Sequence, residues 1–385
     1  MNLLTKNRLT NNQIIKDKSQ SNAQPINFQA LQAHSRRPQL IGGESKRSLS
    51  FRHQVLTTQI PTFTLEQNNK SVYHDALTRY QSQLETVLND VDCIEIGTTN
   101  VCNRKCVSCP VGTSEIGNKL TADTITDDNF QKILTNLSVF KDRAFSLSLH
   151  EYNEPLKDEE ILQKYQKAAS LFPKATLTLF TNGDMLHHSK KGFYSIDKLL
   201  AVGIRHIRIS IYDSSPLKSK VFERIAINMA DFDQSQKPIK QRSEYTHHLI
   251  HQGESVIIRV LFLSTQKLSN RGGIIISDKS RAREGICSLP RRTLSIDYLG
   301  NLKMCCNVHH AEAGANTWMH GSLLKTPINQ ILMGESYANM RHKTSMGDYR
   351  DLSKCQVCDF YQKSSDRLIN AVTKDEKQDE LDLIY

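Results

Sequence analysis

Short apolar segments alternate with helical patterns over residues 93–263, and this alternation constrains the fold more than any other feature of the chain. The apolar segments have the length and composition of strands that are buried on both faces. Strands that are connected by helices form parallel sheets. The sequence therefore predicts an α/β protein with strands at residues 93–97, 144–149, 175–180, 206–212, 255–263 and 274–276.

Polar residues stand where four of these predicted strands end. The first strand leads into a cysteine-rich loop at residues 102–110, and the next three end at residues 153–154, 181–182 and Asp213. In parallel α/β folds the carboxyl ends of the strands meet at one edge, and reactive groups lie there. We therefore expect these residues to form one site.

The cysteine-rich loop reads Cys102-Asn-Arg-Lys-Cys106-Val-Ser-Cys109-Pro110. A structural zinc site takes four protein ligands, so three thiols do not complete one. Iron–sulfur clusters are also held by closely spaced cysteines, because thiolates are soft ligands that suit iron. Three cysteines would leave one iron of a four-iron cluster without a protein ligand, and such an open position predicts chemistry at the cluster.

Composition and charge narrow the class of protein. No apolar run reaches the roughly 18 residues of a membrane-spanning helix, and the N-terminus lacks the apolar core of a secretory signal. We therefore expect a cytoplasmic protein, in which nine cysteines favour metal binding over disulfides. Half of the net charge of +10 lies in residues 1–90. This segment is predicted to be a solvated, flexible basic extension, with docking of an anionic partner as the alternative; binding of nucleic acid is not expected.

A second group of cysteines follows the predicted sheet. Residues 292–305 have the pattern of a β-hairpin with Gly300 and Asn301 at its turn. A helix is predicted at residues 327–340, and a charged tail at residues 363–385. The four cysteines around these elements could hold an iron–sulfur cluster or a zinc ion, since four thiolates suit both. They are Cys287, Cys305, Cys355 and Cys358.

Taken together, these motifs resemble those of the radical S-adenosylmethionine (SAM) superfamily. The resemblance is carried by the three-cysteine loop after the first strand, by Asn153-Glu154-Pro155 after the second and by Thr181-Asn182-Gly183 after the third. The spacing of the later cysteines resembles the twitch form of the SPASM auxiliary-cluster domain. The resemblance implies a partial (β/α)6 TIM-like barrel at residues 91–280 and a small C-terminal α+β iron–sulfur domain at residues 281–362.

The same resemblance implies the cofactors and their ligands. Cys102, Cys106 and Cys109 would hold a [4Fe–4S] cluster whose fourth iron binds SAM, and a 5′-deoxyadenosyl radical from SAM would abstract a substrate hydrogen. The four later cysteines would hold a second [4Fe–4S] cluster. The residues expected to bind SAM are Asn153, Glu154, Thr181, Asn182, Ser210 and Arg259. For Arg259 an internal ion pair or an outward position on its strand is the alternative, and for residues 181–182 a plain strand-end turn.

Two further groups are candidates for the chemistry itself. Cys306 could donate a hydrogen atom to a substrate radical, or it could be a neighbour of the second cluster or an alternate ligand in place of Cys305. His150 ends a predicted strand at the expected site and is a candidate acid–base group, ahead of His309 and His310.

The resemblance favours an enzyme that oxidises or modifies a small secondary metabolite, such as the alcohol of an aminocyclitol. Modification of a ribosomally made peptide and activation of a glycyl-radical enzyme are the enzymatic alternatives. The non-enzymatic alternative is an iron–sulfur electron-transfer or sensor protein. Any of the enzymes would need an external one-electron reductant such as flavodoxin or ferredoxin.

Overall fold

The computed structural model describes residues 70–212, 220–227, 242–251, 253–263, 269–275, 283 and 285–360. These residues all belong to one compact unit of the chain. Most of the predicted N-terminal extension, the predicted tail and Asp213 lie outside the described residues.

A nine-stranded sheet forms the centre of the described structure, in the order β5-β6-β4-β3-β2-β1-β7-β8-β9. Short runs of β-branched and other apolar residues make up most of its strands, in agreement with their β propensity. The strands are β1 (Cys93–Ile96), β2 (Ser146–Ser148), β3 (Thr176–Thr181), β4 (Ile204–Ile211), β5 (Arg242–His251), β6 (Glu254–Leu263), β7 (Thr293–Ile296), β8 (Asn301–Lys303) and β9 (Met319–Ser322).

The pairing of the strands divides this sheet into two parts. Strands β1, β2, β3, β4 and β6 are parallel to their neighbours, and β7 continues the sheet parallel to β1. Strand β5 pairs antiparallel with β6, and β7, β8 and β9 form an antiparallel meander. The predicted α/β class, with an open, barrel-like parallel sheet followed by a small C-terminal domain, is confirmed. Five parallel strands thus end at one edge.

Helices connect and cover the strands. The residues Thr126-Asp127-Asp128 predict a helix start, and the structure confirms it, because the Thr126 hydroxyl accepts a hydrogen bond from the amide of Asn129 (3.3 Å) and caps the helix. The helices are α1 (Lys70–Asn89), α2 (Ser114–Gly117), α3 (Asp127–Asn136), α4 (Ile161–Leu171), α5 (Ile196–Ala201), α6 (Val221–Ile225), α7 (Leu289–Arg292), α8 (Ile328–Met333), α9 (Glu335–Met346) and α10 (Ser353–Val357). Among the described residues, no helix is long and apolar enough to cross a membrane.

Two local predictions are wrong for reasons of backbone geometry. The strand expected at residues 274–276 is not observed as far as Ile275. The preceding Arg271, Gly272 and Gly273 all have positive φ angles, which turn the chain here instead of extending it. The helix expected at residues 327–340 is two helices, because Gly334 has extended backbone angles and separates α8 from α9.

Two apolar clusters hold these parts together. The larger one joins the strands of the parallel sheet to α3, α4 and α5 and includes the fully buried Phe130, Leu147 and Ile207. The smaller one lies in the C-terminal domain and contains Cys287, Cys305 and Cys355 among its buried members. The later cysteines are therefore part of a packed interior.

Candidate functional site

A cavity opens at the carboxyl edge of the parallel strands. Most of the residues predicted to bind a cofactor line this cavity, together with the cysteine predicted to be catalytic. They are Cys102, Cys106, Cys109, Asn153, Glu154, Thr181, Asn182, Ser210 and Cys306. Of these residues, the ones numbered from 102 to 182 lie at or after the ends of β1, β2 and β3, and Ser210 lies on β4. The parallel topology places these side chains around one space, although they are far apart in the sequence.

Backbone hydrogen bonds shape the cysteine-rich loop. The amide of Cys109 donates to the carbonyl of Cys106 (3.0 Å), and the amide of Gly112 donates to the carbonyl of Cys109 (2.9 Å). A Cβ atom on Gly112 would lie 2.0 Å from the Cys106 carbonyl oxygen, closer than any real contact. The tight winding of this loop therefore requires glycine at position 112.

An ion pair fastens the loop to the end of β3. Arg104 donates two hydrogen bonds to the Asp184 carboxylate, from Nε and from a terminal nitrogen, both 2.6 Å long. Asn103 donates a third hydrogen bond to the same carboxylate (2.8 Å) and accepts one from Asn182 (2.9 Å). Planar two-point pairing of this kind fixes orientation as well as distance. The sequence analysis missed Asp184, although it follows the Thr-Asn-Gly turn directly.

Glu154 is buried, 1% exposed, at the end of β2. Its carboxylate accepts hydrogen bonds from the Thr181 hydroxyl (2.7 Å) and from the amides of Asn182 (2.7 Å) and Leu156 (3.2 Å). Burial nevertheless raises the pKa of Glu154 to about 7, because removal from water disfavours the charged form more than the three donors favour it. A cation that binds beside this carboxylate would restore its charge.

Asn153 offers a donor that the protein itself does not use. Its side-chain oxygen accepts a hydrogen bond from the amide of Glu151 (2.7 Å), which fixes the side chain. Its buried Nδ2 atom has no hydrogen-bond partner among the described residues and faces the cavity. Buried donors rarely remain unpaired, so this atom indicates an acceptor on a bound ligand.

Arg259 does not line the cavity. Strand β6 contributes Leu261 to the cavity wall, whereas Arg259 is half-buried two positions earlier. Its partner position across the pair of strands is Arg208 on β4, and Arg208 does line the cavity. The alternation along β4 could have identified Arg208, because it shares a face with Ser210.

Arg271 is a second cavity cation that the sequence analysis missed. It follows β6 in the turn where a strand was expected, and its guanidinium carbon lies 5.8 Å from the centre of the Tyr152 ring. Its Nε atom is buried without a hydrogen-bond partner among the described residues. No local pattern marks this arginine, because the turn that carries it becomes part of the site only in the folded chain.

His150 closes another side of the cavity. Its ring stacks on Phe180 with the ring centres 4.2 Å apart, and its Nδ1 atom lies 3.0 Å from the Ser148 hydroxyl. Burial, followed by the positive charges of Lys303, Arg208 and Arg271, lowers the pKa of His150 to about 3. The imidazole is therefore neutral at physiological pH and can accept a proton.

Two contacts join this edge of the sheet to the C-terminal domain. Lys303 on β8, fully buried, forms an ion pair with Glu151 and donates a hydrogen bond to the carbonyl of Val308 (2.8 Å). The Tyr152 hydroxyl donates to the carbonyl of Cys306. The residues that follow β2 are thus attached directly to the segment that contains the later cysteines.

The four later cysteines, Cys287, Cys305, Cys355 and Cys358, are each only 6–7% exposed. Burial raises the pKa of Cys287, Cys305 and Cys355, and the charges of the other thiols in the group raise it further for Cys305 and Cys355. Such mutual influence requires the sulfur atoms to lie near one another. Among the described residues, however, no three His, Cys, Asp or Glu side chains converge closely enough to hold a single metal ion.

The neighbours Cys305 and Cys306 point to different places. Cys305 belongs to the packed interior with Cys287 and Cys355, whereas Cys306 lines the cavity. Burial raises the pKa of Cys306 far above its ordinary value. Its position beside the cavity, rather than its pKa, distinguishes Cys306 from Cys305 and suits donation of a hydrogen atom.

The comparisons with known proteins agree with this geometry. The SPASM iron–sulfur cluster-binding domain matches residues 287–359, which include all four later cysteines. The S-adenosyl-L-methionine-dependent 2-deoxy-scyllo-inosamine dehydrogenase of Niallia circulans is 24% identical over 267 residues, covering 69% of this chain and 91% of the relative.

Solved structures add a likeness in fold. The crystal structure of BtrN in complex with AdoMet and 2-DOIA is similar with a TM-score of 0.50 and 20% identity, over 70% of this chain and 93% of that one. A crystal structure of BtrN in an open conformation has a TM-score of 0.46 and 18% identity, over 70% of this chain and 92% of that one. The SPASM match, the similar SAM-dependent dehydrogenase and the shared fold support the predicted resemblance of this chain to the radical SAM superfamily with a C-terminal SPASM/twitch-type iron–sulfur domain.

Proposed function

We propose that this protein is an enzyme that cleaves SAM reductively and removes a hydrogen atom from a small polar metabolite, oxidising an alcohol carbon to a ketone. The observation that carries the proposal is the cavity in which Cys102, Cys106 and Cys109 lie beside Glu154 and Asn153. The choice of alcohol oxidation is supported by the dehydrogenase to which the chain is similar over most of that relative's length.

The residues of the cavity fit the cofactors that this chemistry needs. The three thiols of the loop would hold a [4Fe–4S] cluster with one iron open to the cavity. The buried Glu154 carboxylate would accept hydrogen bonds from the SAM ammonium, and the unpartnered Nδ2 atom of Asn153 would donate to an acceptor on SAM. When bound together, the cluster and SAM supply the abstraction of a hydrogen atom from an unactivated carbon.

Side chains of the protein would complete the oxidation. The hydroxyl proton that an alcohol loses as it becomes a ketone would pass to solvent, and the neutral His150 imidazole on the cavity wall could form a hydrogen bond with that hydroxyl. Arg208 and Arg271 supply positive charge on the walls of the same cavity, and Arg208 takes the role first expected of Arg259. The buried thiol of Cys306 lines the cavity as well, where it can donate a hydrogen atom to a product radical in a side reaction or in an epimerisation.

The second cysteine set would hold a second [4Fe–4S] cluster. A zinc ion gathers four thiolates at about 2.3 Å from one point. Four thiolates suit either metal, and the match of residues 287–359 to the SPASM iron–sulfur cluster-binding domain supports the cluster. Iron content and a broad visible absorption band distinguish the two metals directly.

The test of the proposed function is reductive cleavage of SAM by the anaerobically reconstituted protein. We expect 5′-deoxyadenosine from the wild type under strong reductant and none from Cys106→Ala. Cys93→Ala is the matched control, because Cys93 lies in the core of β1, is 2% exposed and does not line the cavity. If the wild type with both clusters in place yields no 5′-deoxyadenosine, the proposal is wrong.

The substrate class is tested separately. An aminocyclitol alcohol such as 2-deoxy-scyllo-inosamine, deuterated at the carbinol carbon, should transfer deuterium to 5′-deoxyadenosine and yield a ketone. A panel of precursor peptides tests the alternative of peptide modification. Transfer from a peptide carbon, without transfer from any cyclitol, would overturn the choice of a small metabolite and leave SAM cleavage intact. Replacing dithionite by flavodoxin or ferredoxin identifies the physiological kind of reductant.

A further inference from the structure

A buried arginine lies beside the second cysteine set. Arg283 is 7% exposed, and its backbone amide donates to the carbonyl of Gln356 (2.8 Å), between Cys355 and Cys358. Its guanidinium carbon lies 5.6 Å from the centre of the Tyr349 ring. The Tyr349 hydroxyl in turn donates to the carbonyl of Gly285 (2.7 Å). The arginine is thus fixed against the segments that carry three of the four thiols.

The charge of Arg283 is directed at those thiols. Burial lowers the pKa of its guanidinium, but the negative charges of Cys287, Cys358, Tyr349 and Cys355 raise it more, so that the net pKa is above the ordinary value. Its Nε atom is buried and has no hydrogen-bond partner in the described part of the chain. A buried cation without a carboxylate is costly, unless a negative group is bound beside it.

An uncharged hydrogen-bond donor, Asn307, lies beside the same four cysteines and comes from another segment of the chain. Asn307 is 1% exposed, and its Nδ2 atom lies 3.9 Å from the sulfur of Cys358. The Oδ1 atom of the same side chain is buried without a partner among the described residues. Donors to cysteine sulfur draw electron density away from a cluster, and this raises its reduction potential.

These two side chains determine how readily a cluster at this position accepts an electron. A four-iron cluster with four thiolates is an anion, and its reduction adds one more negative charge inside the protein. A fixed cation in a buried environment lowers the free energy of the reduced state more than that of the oxidised state. The first cysteine set also has arginines nearby: Arg104 is paired with Asp184, and Arg271 lines the same cavity as Cys109.

We propose that Arg283, assisted by Asn307, would raise the reduction potential of a cluster held by the four later cysteines, so that this cluster could accept an electron from the substrate radical. The inference rests on the proposed function. Oxidation of an alcohol removes two electrons, one with the abstracted hydrogen atom and one from the resulting carbon radical, and the hydroxyl proton passes to solvent. The second electron would pass to the C-terminal cluster, which returns it to a one-electron carrier of the flavodoxin or ferredoxin class.

The test measures the potential of this cluster alone. The full-length variant Cys102→Ala/Cys106→Ala/Cys109→Ala retains only the second set, and a redox titration followed by electron paramagnetic resonance gives its midpoint. Arg283→Gln in this background should reduce the equilibrium constant for reduction at least tenfold, about 59 mV for one electron. Arg283→Lys, which keeps the charge, should stay within threefold of the parent. Arg350→Gln is the control, because this arginine is 85% exposed and pairs with Asp348 at the surface; it should change nothing.

Each result decides the matter. An unchanged potential in Arg283→Gln, with full iron content, overturns the inference. If Arg283→Gln does not retain iron, Asn307→Leu decides: a threefold or larger loss in the same constant supports the inference, and an unchanged potential overturns it. Since no SAM is involved, failure of SAM cleavage in the wild type leaves this result valid. Zinc in place of iron would remove the basis of the inference itself.

Discussion

The two cysteine sets of this protein use the same ligand atom in opposite settings. Cys102, Cys106 and Cys109 are partly exposed and lie within one short loop at the edge of a cavity. The four later thiols come from three separate segments and are buried among apolar side chains. If each set holds an iron–sulfur cluster, as proposed, three cysteines leave one iron open to a further ligand, whereas four leave none. Ligand number and access, rather than ligand type, would then separate the two roles.

The two sets also differ in how their geometry is maintained. Hydrogen bonds within residues 106–112, together with the Arg104–Asp184 pair, shape the first set locally. The second set depends on packing between α9, α10 and the meander of β7, β8 and β9, and on contacts such as the amide of Cys287 with the carbonyl of Thr344 (2.9 Å). Local damage should therefore remove one metal centre and spare the other.

The largest effect is expected from Gly112→Ala. The added Cβ would collide with the Cys106 carbonyl, because only 2.0 Å separates them, and the loop would have to unwind. We expect the protein to lose the first cluster, which is roughly half of its iron, together with all SAM cleavage. Iron analysis and electron paramagnetic resonance of both clusters provide the measurement. Val107→Ala is the control, because this residue lies in the same loop and is 73% exposed; full iron in Gly112→Ala would contradict the local origin of the first set.

A smaller effect, confined to SAM, is expected from Glu154→Gln. The change keeps the shape of the side chain but removes the charge that would hold the SAM ammonium. A charge-assisted hydrogen bond contributes about 1.5–3 kcal/mol, so the dissociation constant for SAM should rise about 10- to 100-fold. Anaerobic calorimetry measures this change, with the exposed Glu159→Gln as control. Loss of either cluster in Glu154→Gln would show that the carboxylate acts in assembly instead.

Tyr152→Phe tests the connection between the two regions. The substitution removes the hydrogen bond to the Cys306 carbonyl and keeps the ring. A hydrogen bond of this kind contributes about 1 kcal/mol, so the melting temperature should fall by about 1 °C in a chain of this size. Thermal unfolding of the reconstituted protein measures the change, with Tyr194→Phe, outside the cavity lining, as control. An unchanged melting temperature would mean that the pairing of β1 with β7 and the Glu151–Lys303 pair hold the two regions together without this hydrogen bond.

The smallest predicted effect is the change in melting temperature as the pH is lowered. The folded protein lowers the pKa of His150 to about 3 from an ordinary value near 6.5, chiefly through burial. Between these values the unfolded chain binds a proton that the folded chain does not, so stability is lost as the pH falls below about 6.5. We expect the melting temperature to decline between pH 7 and pH 5, less steeply in His150→Gln than in the wild type. Equal slopes would assign the decline to His309 and His320, whose pKa values burial lowers in the same way.

The sequence was sufficient for features that are local. The parallel strands and the helix start at Thr126 follow from short patterns, and the cysteine loop follows from its spacing, so they could be predicted. The site residues after β2 and β3 were also named in advance, and the structure brings them to one cavity. Whether they bind SAM stays a prediction until it is measured.

The site residues that the sequence analysis missed depend on contacts between residues that are far apart in the sequence. Lys303 and Glu151 are separated by 152 positions, and neither stands out until the meander folds against the end of β2. Arg271 reaches the site from a turn that precedes the strand predicted at residues 274–276, and no sequence pattern marks this turn as part of the site. Arg259 and Arg208 occupy paired positions on adjacent strands, and the sequence does not tell which of the two lines the cavity.

The pair between Arg104 and Asp184 has a consequence for how this loop would take up metal. Because the pair orders the backbone around the thiols, the entropic penalty of shaping the loop falls on folding and not on metal loading. Loss of a cluster bound there would leave the loop backbone in place, so that rebinding would require only rearrangement of the cysteine side chains.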